Sequence, residues 1–331
     1  MSDLRVGLVG LGMMGRHHAR LLQQIEGVAF AGAVDPTGDR HGALQGGRLI
    51  EGIDQLLAGG VDAVVIAVPT ARHEELALRM AENGIPILVE KPLAADVESA
   101  ARIERAFADR GLLGCVGHVE RFNPALQAMK ERLNKGELGQ VFSVATVRVG
   151  PFPHRIQDVG VVKDLAAHDI DLVRWLGESD FAEVSGHTAH KMGRDHEDLV
   201  SASGILHNGV VVSMQVNWLT PTKQRNVTVL GERGAFVADM LSADLTFYSN
   251  ADIPTEWDAV ARLRGVSEGD MVRYALRKPE PLRSELEAFR DALLGKDSAQ
   301  IVSLADGVEI LRVAERILAA AAPTKPLSEA S

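Results

Sequence analysis

The chain has 331 residues, an apolar fraction of 46% and a formal net charge of −10 at pH 7. This length predicts about two domains, with enough apolar residues for a sizeable core. The negative charge argues against nucleic acid or an anionic membrane as the main partner. The chain opens without a signal-peptide pattern, no apolar run reaches the roughly 18 residues of a spanning helix, and the single cysteine excludes an internal disulfide. We therefore expect a cytoplasmic protein that binds neither nucleic acid nor membrane.

The first 120 residues alternate short apolar runs with helical patterns. The apolar runs predict strands at 5–10, 30–35, 63–69, 86–92 and 112–118. The helical patterns predict helices at 16–25, 53–60, 73–84 and 96–111. Near-continuous apolar strands separated by helices indicate a parallel sheet that is buried on both faces. We predict a doubly wound α/β Rossmann domain over residues 1–121.

The pattern changes after residue 121, where a helix at 124–136, a strand at 140–150 and a helix at 163–176 are predicted. Further strands are predicted at 182–190, 197–206, 210–218, 226–231, 235–240 and 244–249. Asn208-Gly209 predicts a tight hairpin, and successive strands with tight turns favour an antiparallel sheet. Residues 250–280 are too long for a plain loop, and we expect them to carry function or to contain a short helix. With helices at 282–295 and 304–322, residues 122–331 are predicted to form an α+β domain.

The segment "GLVGLGMMGRHH" contains Gly10, Gly12 and Gly15 between a predicted strand and a predicted helix. Gly10 permits a tight turn, Gly12 lets the backbone approach a pyrophosphate, and Gly15 allows close packing of helix and strand. The diphosphate would bind at the N-terminus of the helix. An acid follows about 20 residues later, at Asp35, as this fingerprint requires.

Asp35 favours NAD over NADP. A carboxylate at the end of the second strand accepts hydrogen bonds from the adenosine ribose diol and repels a 2′-phosphate. Pro36 follows, and no basic residue lies within the next three positions. An FAD site and a glycine turn without a ligand are the alternatives.

A polar stripe runs along the helix predicted from "KDLAAHDIDLVRWL" (163–176). At the ideal helical pitch the stripe covers about 60° of the helix circumference, and its members are Asp164, His168, Asp171 and Trp175. A different, apolar arc of the helix contains Asp169, which therefore needs a buried partner. A solvated face on which an acid and a histidine pair at i,i+4 is the alternative.

Four motifs in order resemble one known family. They are the glycine fingerprint, "VPTARH" (68–73), "EKPLA" (90–94) and the Asp164-x-x-x-His168 spacing. Together they resemble the glucose-fructose oxidoreductase/inositol dehydrogenase (Gfo/Idh/MocA) family over nearly the whole chain. The resemblance implies a Rossmann domain followed by a large, mostly antiparallel open sheet that forms the substrate wall. It also implies homodimers or homotetramers that associate through the open face of that sheet.

The resemblance implies roles for individual residues. The lysine of the EKP motif, which lies by the nicotinamide and the substrate, corresponds to Lys91, and the Asp and His of the family's DxxxH motif correspond to Asp164 and His168. Further cofactor contacts are expected at Met13, Met14, Pro69, Thr70, His73 and Glu90.

These residues suit the oxidation of a secondary alcohol, which loses a hydride from carbon and a proton from oxygen. Histidine titrates near neutral pH, so His168 is suited to accept the proton. Asp164 would orient the imidazole and stabilise its cation. Lys91, at the carboxyl end of a strand, would stabilise the developing alkoxide, unless it is only a solvated loop charge.

Two segments, "GHVERFNPA" (117–125) and "GPFPHRIQDVGVVKDLAAHDID" (150–171), resemble the branch that oxidises the 3-hydroxyl of UDP-N-acetylglucosamine or its uronic acid. Arg155 and Asp158 match an arginine and an aspartate of that branch. Arg155 would fork onto a diphosphate or carboxylate, and Asp158 would bind sugar hydroxyls.

Three other residues are candidate substrate contacts. Arg121 and Asn123 are expected at the domain junction, beside the sugar, unless Arg121 pairs with Glu120 or Asp158. Lys163 stands where the family more often has an apolar residue, and it would either reach a phosphate or uronate or point outward. The histidines show no metal-ligand spacing, so no metal is expected.

We therefore predict an NAD-dependent dehydrogenase that converts C3 of a UDP-N-acetylhexosamine, or its uronic acid, to a ketone. An inositol or free-sugar dehydrogenase is the alternative among enzymes, and a neutral polyol would need no basic cluster. A non-catalytic NAD-binding sensor is the alternative outside enzymes. Such a sensor would often lack Lys91, Asp164 or His168, and this chain has all three.

Overall fold

The computed structural model describes residues 3–153, 159–251, 269–296 and 300–321. The chain divides into two compact units. The first unit comprises Met1–Val119 and Pro279–Arg312, and the second comprises Glu120–Lys278 and Val313–Ser331. The domain boundary predicted after residue 121 lies two residues beyond the division after Val119. The prediction placed Pro279–Arg312 in the second domain, whereas these residues belong to the first unit.

A six-stranded parallel sheet forms the centre of the first unit. Its strands are β1 (Leu4–Val9), β2 (Val28–Val34), β3 (Leu49–Ile50), β4 (Ala63–Ile66), β5 (Ile87–Glu90) and β6 (Gly114–Gly117). The strand order is β3-β2-β1-β4-β5-β6. It reverses between β1 and β4, and in such sheets a dinucleotide binds at the carboxyl ends of the strands around the reversal. The predicted Rossmann fold is confirmed, although the short strand β3 was not predicted.

Helices cover both faces of this sheet. They are α1 (Gly15–Leu22), α2 (Ile53–Ala58), α3 (His73–Glu82), α4 (Val97–Ala108) and, later in the chain, α7 (Pro281–Leu293). Alternate residues of the buried strands point to opposite faces, so that Val64 and Val65 belong to different hydrophobic clusters. Leu282 and Phe289 of α7 join the cluster that contains α1. This packing explains why α7 belongs to the first unit.

The second unit is built on an eight-stranded sheet. Its strands are β7 (Val141–Pro151), β8 (Phe181–Ala189), β9 (Leu199–Leu206), β10 (Val211–Asn217), β11 (Leu219–Gly231), β12 (Gly234–Asp239), β13 (Asp244–Ser249) and β14 (Met271–Tyr274). The order is β14-β13-β12-β11-β7-β10-β9-β8, and only the β7–β10 pair is parallel. The mostly antiparallel sheet is therefore confirmed, as is the β9–β10 hairpin at Asn208-Gly209.

Strand β14 lies within the segment at 250–280, so part of that segment belongs to this sheet. This strand was not predicted. Residues 252–268 lie outside the described part of the chain.

The helices of the second unit are α5 (Pro124–Asn134) and α6 (Ala167–Gly177), and a π-helical turn (Val162–Ala166) precedes α6. The last helix, α8 (Leu304–Ala320), contains the division between the units. The even-numbered residues of β7 from Val144 to Gly150 are buried on the face that α6 covers. In the described ranges, no helix is both long and apolar enough to cross a membrane.

Candidate active site

The glycine fingerprint forms a turn in which two of its positions exclude any side chain. Gly10 has a φ of +99°, and a Cβ on it would lie 2.3 Å from the carbonyl oxygen of Ala67. A Cβ on Gly15 would lie 2.1 Å from the carbonyl oxygen of Gly10. The fingerprint is therefore required by the backbone, as its spacing predicted.

The same turn leaves room for a dinucleotide. A Cβ on Gly12 would meet no atom within 4 Å. Met13 and Met14 are exposed beside it, although methionine side chains are usually buried. Helix α1 begins without a side-chain cap and has no acid in its first turn. Its positive end is therefore suited to the diphosphate of NAD, and the exposed methionines are apolar surface that a bound cofactor would cover.

Asp35 joins the end of β2 to the glycine turn. Its Oδ2 accepts a hydrogen bond of 2.7 Å from the amide of Leu11, and its Oδ1 accepts from the amide and hydroxyl of Thr37, each at 2.7 Å. Burial alone would raise the pKa of Asp35, but these hydrogen bonds outweigh it and hold the pKa below its ordinary value. The carboxylate is therefore ionised, which is the state that a ribose diol requires.

His73 links the segments that follow β4 and β5. Its Nε2 lies 2.9 Å from the carbonyl oxygen of Val68, and its Nδ1 lies 2.9 Å from that of Pro92. The ring is buried, and burial lowers its pKa. Its imidazole thus contacts backbone next to Pro69 and Thr70 on one side and next to Lys91 on the other. The cofactor contacts expected of His73, Pro69 and Thr70 stay predictions.

Glu90, the last residue of β5, pairs with His18 of α1. The His18 Nε2 lies 2.7 Å from the Glu90 Oε1, and both side chains are buried. Burial alone would raise the pKa of Glu90, but His18 outweighs it and the pKa is lowered. The pair connects the helix of the glycine fingerprint to the strand that ends immediately before Lys91. Lys91 itself is half-buried and joined to Pro92 by a cis peptide bond.

In the second unit, the polar stripe begins in the π-helical turn rather than in a regular α-helix. Asp164 lies in that turn, and His168 and Asp171 follow in α6. His168 and Asp171 are buried, whereas Asp164 and Trp175 are half-buried. The prediction of one regular helix over 163–176 is therefore wrong for its first turn. Single π turns inside helices occur frequently at functional sites.

Glu197 holds the start of this turn. Its backbone oxygen accepts a hydrogen bond of 3.0 Å from the amide of Val161, and its Oε1 accepts one of 2.9 Å from the amide of Val162. A Cβ on Gly160 would lie 2.1 Å from the Glu197 carboxylate, so only glycine fits there. Arg194 donates to the carbonyl of Val159 at 2.8 Å. Glu197 therefore positions the turn that carries Asp164, a role that the sequence did not indicate.

Arg121 is bound to the polar stripe. Its Nε donates to both carboxylate oxygens of Asp171 at 2.9 Å, and its Nη2 donates at 2.5 Å. The guanidinium also lies 5.9 Å from the ring centroid of Trp175. Glu120 and Asp158 were the partners considered for Arg121; the contact described here is with Asp171, and Asp158 lies outside the described residues. The substrate contact expected of Arg121 stays a prediction.

Asn123 has a structural role at the start of α5. Its side-chain oxygen accepts a hydrogen bond of 3.1 Å from the amide of Ala125, and its amide group donates to the carbonyl of Met240 at 3.0 Å. Both ends of the side chain are thus engaged within the second unit. Asn123 as a substrate residue stays a prediction.

Asp169 has the buried partner that its position in the apolar arc required. Arg148 of β7 donates from its Nε to the Asp169 Oδ2 at 2.7 Å. Arg148 also donates to the Oε1 of Glu120 at 2.8 Å, and Arg225 of β11 donates to the same oxygen at 3.1 Å. Arg148 was missed from the sequence, although an arginine at an inward position of an alternating strand is a usable signal.

The remaining predicted substrate residues are only partly described. The Nζ of Lys163 lies 4.0 Å from the Oε1 of Glu315. Arg155 and Asp158 lie outside the described residues.

Cys115 is buried, which raises the pKa of its thiol and removes it as a candidate nucleophile. Among the described residues, no group of three or more His, Cys, Asp or Glu side chains has a geometry that could hold a metal ion.

The chain matches two family models and several known proteins. Residues 4–118 match the NAD-binding Rossmann domain of an oxidoreductase family, Gfo/Idh/MocA, and residues 126–237 match a C-terminal domain of the same family. UDP-N-acetylglucosamine 3-dehydrogenase from Acidithiobacillus ferrooxidans is 28% identical over 100% of this chain and 99% of its own length. A solved structure of that enzyme has a TM-score of 0.84, with 97% of this chain and 98% of the other covered at 26% identity. Inositol 2-dehydrogenase from Mycolicibacterium smegmatis is 35% identical over 56% of each chain.

Proposed function

The chain belongs to the Gfo/Idh/MocA family of NAD-binding oxidoreductases, and from this premise we propose that it oxidises C3 of a UDP-N-acetylhexosamine, or its uronic acid, to a ketone. This choice of substrate is supported by how much of the chain each relative matches. The UDP-N-acetylglucosamine 3-dehydrogenase corresponds to the chain from end to end, whereas the inositol 2-dehydrogenase corresponds to 56% of it. The segments around Arg121 and Asp164, which resemble the same branch, support the choice.

In this proposal His168 accepts the hydroxyl proton and Asp164 orients its ring. Bound NAD supplies the acceptor for the hydride. The chain's own contribution is to hold a proton acceptor in a fixed place, which favours a general base. His168 is buried in α6 next to Asp169, whose carboxylate is bound by Arg148. The hydrogen bonds that Glu197 accepts from the amides of Val161 and Val162 hold the turn that carries Asp164.

Lys91 is the proposed stabiliser of the developing alkoxide. A point charge helps only if its backbone is held in place, and two contacts in the first unit do this. The His18–Glu90 pair lies directly before Lys91, and the ring of His73 contacts the carbonyl directly after it.

An inositol or free-sugar dehydrogenase is the second candidate. The higher local identity to the inositol 2-dehydrogenase, 35% against 28%, favours it. A sensor that binds NAD without catalysis is the third candidate, and the presence of Lys91, Asp164 and His168 speaks against it.

A substrate panel separates these candidates. NADH formation is followed at 340 nm with UDP-N-acetylglucosamine, its uronic acid, myo-inositol and glucose. Turnover of a UDP-sugar alone is expected. Turnover of only inositol or glucose would move the function to the second candidate, and turnover of none would favour the sensor.

The proposed base is tested in the same assay. His168→Ala is expected to reduce turnover by at least ~100-fold, as the loss of a general base does, while NAD binding persists. The matched control is His207→Ala, an exposed histidine in the same unit. Equal turnover in both variants would remove His168 from the mechanism.

We also propose a homodimer or homotetramer that forms through the second sheet. On the face opposite α6, a row of paired residues crosses four strands, and it consists of Ile205, Val211, Ser143 and Leu230. Three of these are exposed apolar side chains. The residues of β7 that point to this face are all uncharged. Light scattering should give a multiple of 35.5 kDa, and Val211→Glu should reduce it to the monomer mass; a monomeric wild type would refute the proposal.

The cytoplasm is the proposed location. NAD is available there, and a chain with one buried cysteine needs no oxidising compartment. Cell fractionation with an antibody to the protein tests this, and recovery outside the cytoplasmic fraction would contradict it.

A further inference from the structure

We propose that Lys223 and Arg225 of β11 bind the anionic group of the substrate, a phosphate or a carboxylate. The proposal rests on the function proposed above, because it assigns the part of the second unit that would distinguish a charged sugar nucleotide from a neutral polyol.

The register of the sheet places two arginines opposite each other. Arg225 of β11 is the cross-strand partner of Arg148 of β7. Like charges in directly opposed positions repel and destabilise a sheet. Both guanidiniums donate to the same oxygen of Glu120, at 2.8 and 3.1 Å. The Glu120 carboxylate is therefore the shared acceptor of both guanidiniums.

An irregularity in β11 brings a third cation to the same place. The pairing jumps from Leu219 opposite Pro151 to Gln224 opposite Val149, so that several residues of β11 face one residue of β7. Bulges of this kind redirect side chains and are common next to active sites. Here the bulge lays the stem of Lys223 over Gly150, where a Cβ would lie 3.6 Å from the Lys223 Cγ.

Lys223 lies on the sheet face that α6 covers. Residues two apart on a regular strand point to the same side, so Gly150 shares the face of Arg148. A Cβ on Gly150 would lie 3.6 Å from the Lys223 Cγ, which places the stem of Lys223 on that face. Arg148 in turn binds Asp169, the residue after His168. The three cations therefore lie on the same side of the sheet as the proposed base.

The cluster holds more positive than negative charge. Its cations are Arg148, Arg225 and Lys223, and the acids that contact it among the described residues are Glu120 and Asp169. The charge of Arg225, followed by burial, lowers the pKa of Lys223. Burial, followed by the charge of Arg148, lowers the pKa of Arg225. The excess charge is at the exposed end, since Lys223 is exposed and Arg148 is buried.

An anion beside Lys223 and Arg225 would relieve this repulsion. The predicted anion-binding residues Arg121 and Lys163 each have an acid nearby, Asp171 for Arg121 and Glu315 for Lys163. Lys223 makes no ion pair with any described residue. Its ammonium, as a point charge with three donors, suits a phosphate or a carboxylate equally.

The test compares Lys223→Met, which keeps most of the stem and removes the charge, with Lys135→Met. Lys135 is an exposed lysine of the same unit that pairs with Glu131. A hydrogen bond between charged groups contributes about 1.5–3 kcal/mol, so Lys223→Met should raise KM for the anionic substrate by at least ~10-fold, which corresponds to about 1.4 kcal/mol. The values of kcat and of Kd for NAD should stay within about threefold, and Lys223→Arg should restore most of the affinity.

Two probes distinguish the sources of the anion. Calorimetry with UDP reports on a diphosphate, and KM for the uronic acid against UDP-N-acetylglucosamine reports on the sugar carboxylate. Weaker UDP binding in Lys223→Met but not in Lys135→Met assigns the diphosphate. A loss confined to the uronic acid assigns the carboxylate.

The proposal is overturned if UDP binding and every KM are the same in Lys223→Met as in the wild type. That result differs from failure of the proposed function, which would appear as turnover of inositol or glucose by the wild type. UDP binding that depends on Lys223 would support the anion site even then.

Discussion

Replacing Arg148 by methionine should destabilise the second unit by about 3–5 kcal/mol, the cost of removing one partner of a buried ion pair. The structure places this variant at the upper end of that range. Arg148 is 1% exposed and Asp169 is 0% exposed, and the Nε–Oδ2 distance between them is 2.7 Å. Without the guanidinium, Asp169 would be a buried carboxylate beside Glu120, which Arg225 would then hold alone.

The double variant Arg148→Met/Asp169→Leu separates the lost pair from the lost packing. Replacing a buried ion pair by apolar residues of similar volume is often neutral or stabilising. We therefore expect the double variant to recover at least about 2 kcal/mol relative to Arg148→Met. Recovery would show that the cost arises from the unpaired Asp169 carboxylate.

The assay is urea unfolding followed by tryptophan fluorescence. All three tryptophans of the chain lie between residues 120 and 278, so the signal reports on the second unit. An Arg148→Met variant within about 1 kcal/mol of the wild type would refute the reasoning, because breaking a buried pair costs more than that. A double variant no more stable than the single one would refute it equally.

The pH dependence gives a further check on the same variant. Burial already raises the pKa of Asp169 in spite of Arg148, and removing Arg148 should raise it more. A carboxyl whose pKa is higher in the folded than in the unfolded state contributes stability at low pH, and this is lost as pH rises through the folded value. The difference between Arg148→Met and the wild type should therefore be smaller at pH 5 than at pH 8.

Three other variants test separate parts of the structure. Asp35→Ala should weaken NAD binding and reduce the preference over NADP, and an unchanged cofactor preference in a fluorescence titration would contradict the role of Asp35. Glu90→Gln should lower the melting temperature of the first unit at pH 7. The pKa of Glu90 is lowered in the folded state, so the wild type should lose its higher melting temperature as pH falls below about 4.3. Circular dichroism measures both melting temperatures, and a difference that does not change with pH would contradict the role of Glu90. Gly160→Ala should displace the Glu197 carboxylate and reduce kcat by a larger factor than it raises Kd for NAD. The control is Gly52→Ala, which should leave kcat nearly unchanged, because Gly52 has extended backbone and its added Cβ would meet no atom within 4 Å.

Local sequence patterns predicted most of the secondary structure. Hydrophobic period and turn residues depend on neighbours within a few positions, so five of the six strands of the Rossmann sheet and the Asn208-Gly209 hairpin were predictable. The glycine fingerprint was predictable for the same reason, because Gly10 and Gly15 answer steric demands within one turn.

Features that depend on distant contacts were not predictable. Helix α7 shows an apolar face in sequence, but nothing in that face says that it packs in the cluster of α1. The partners of Asp169 and Asp171 lie 21 and 50 residues away. The π turn at Asp164 depends on Glu197, which lies 35 residues from the Val162 amide that it binds.

The central claim is that a hydride leaves C3 of a UDP-N-acetylhexosamine for NAD. The most direct measurement uses UDP-N-acetylglucosamine carrying deuterium at C3, in a single turnover with enzyme in excess. The protein is then denatured, so that tightly held cofactor is also recovered, and both products are analysed by mass spectrometry. The account predicts deuterium in the reduced nicotinamide and an unlabelled 3-keto sugar. Deuterium that stays on C3 in all of the recovered sugar would contradict it.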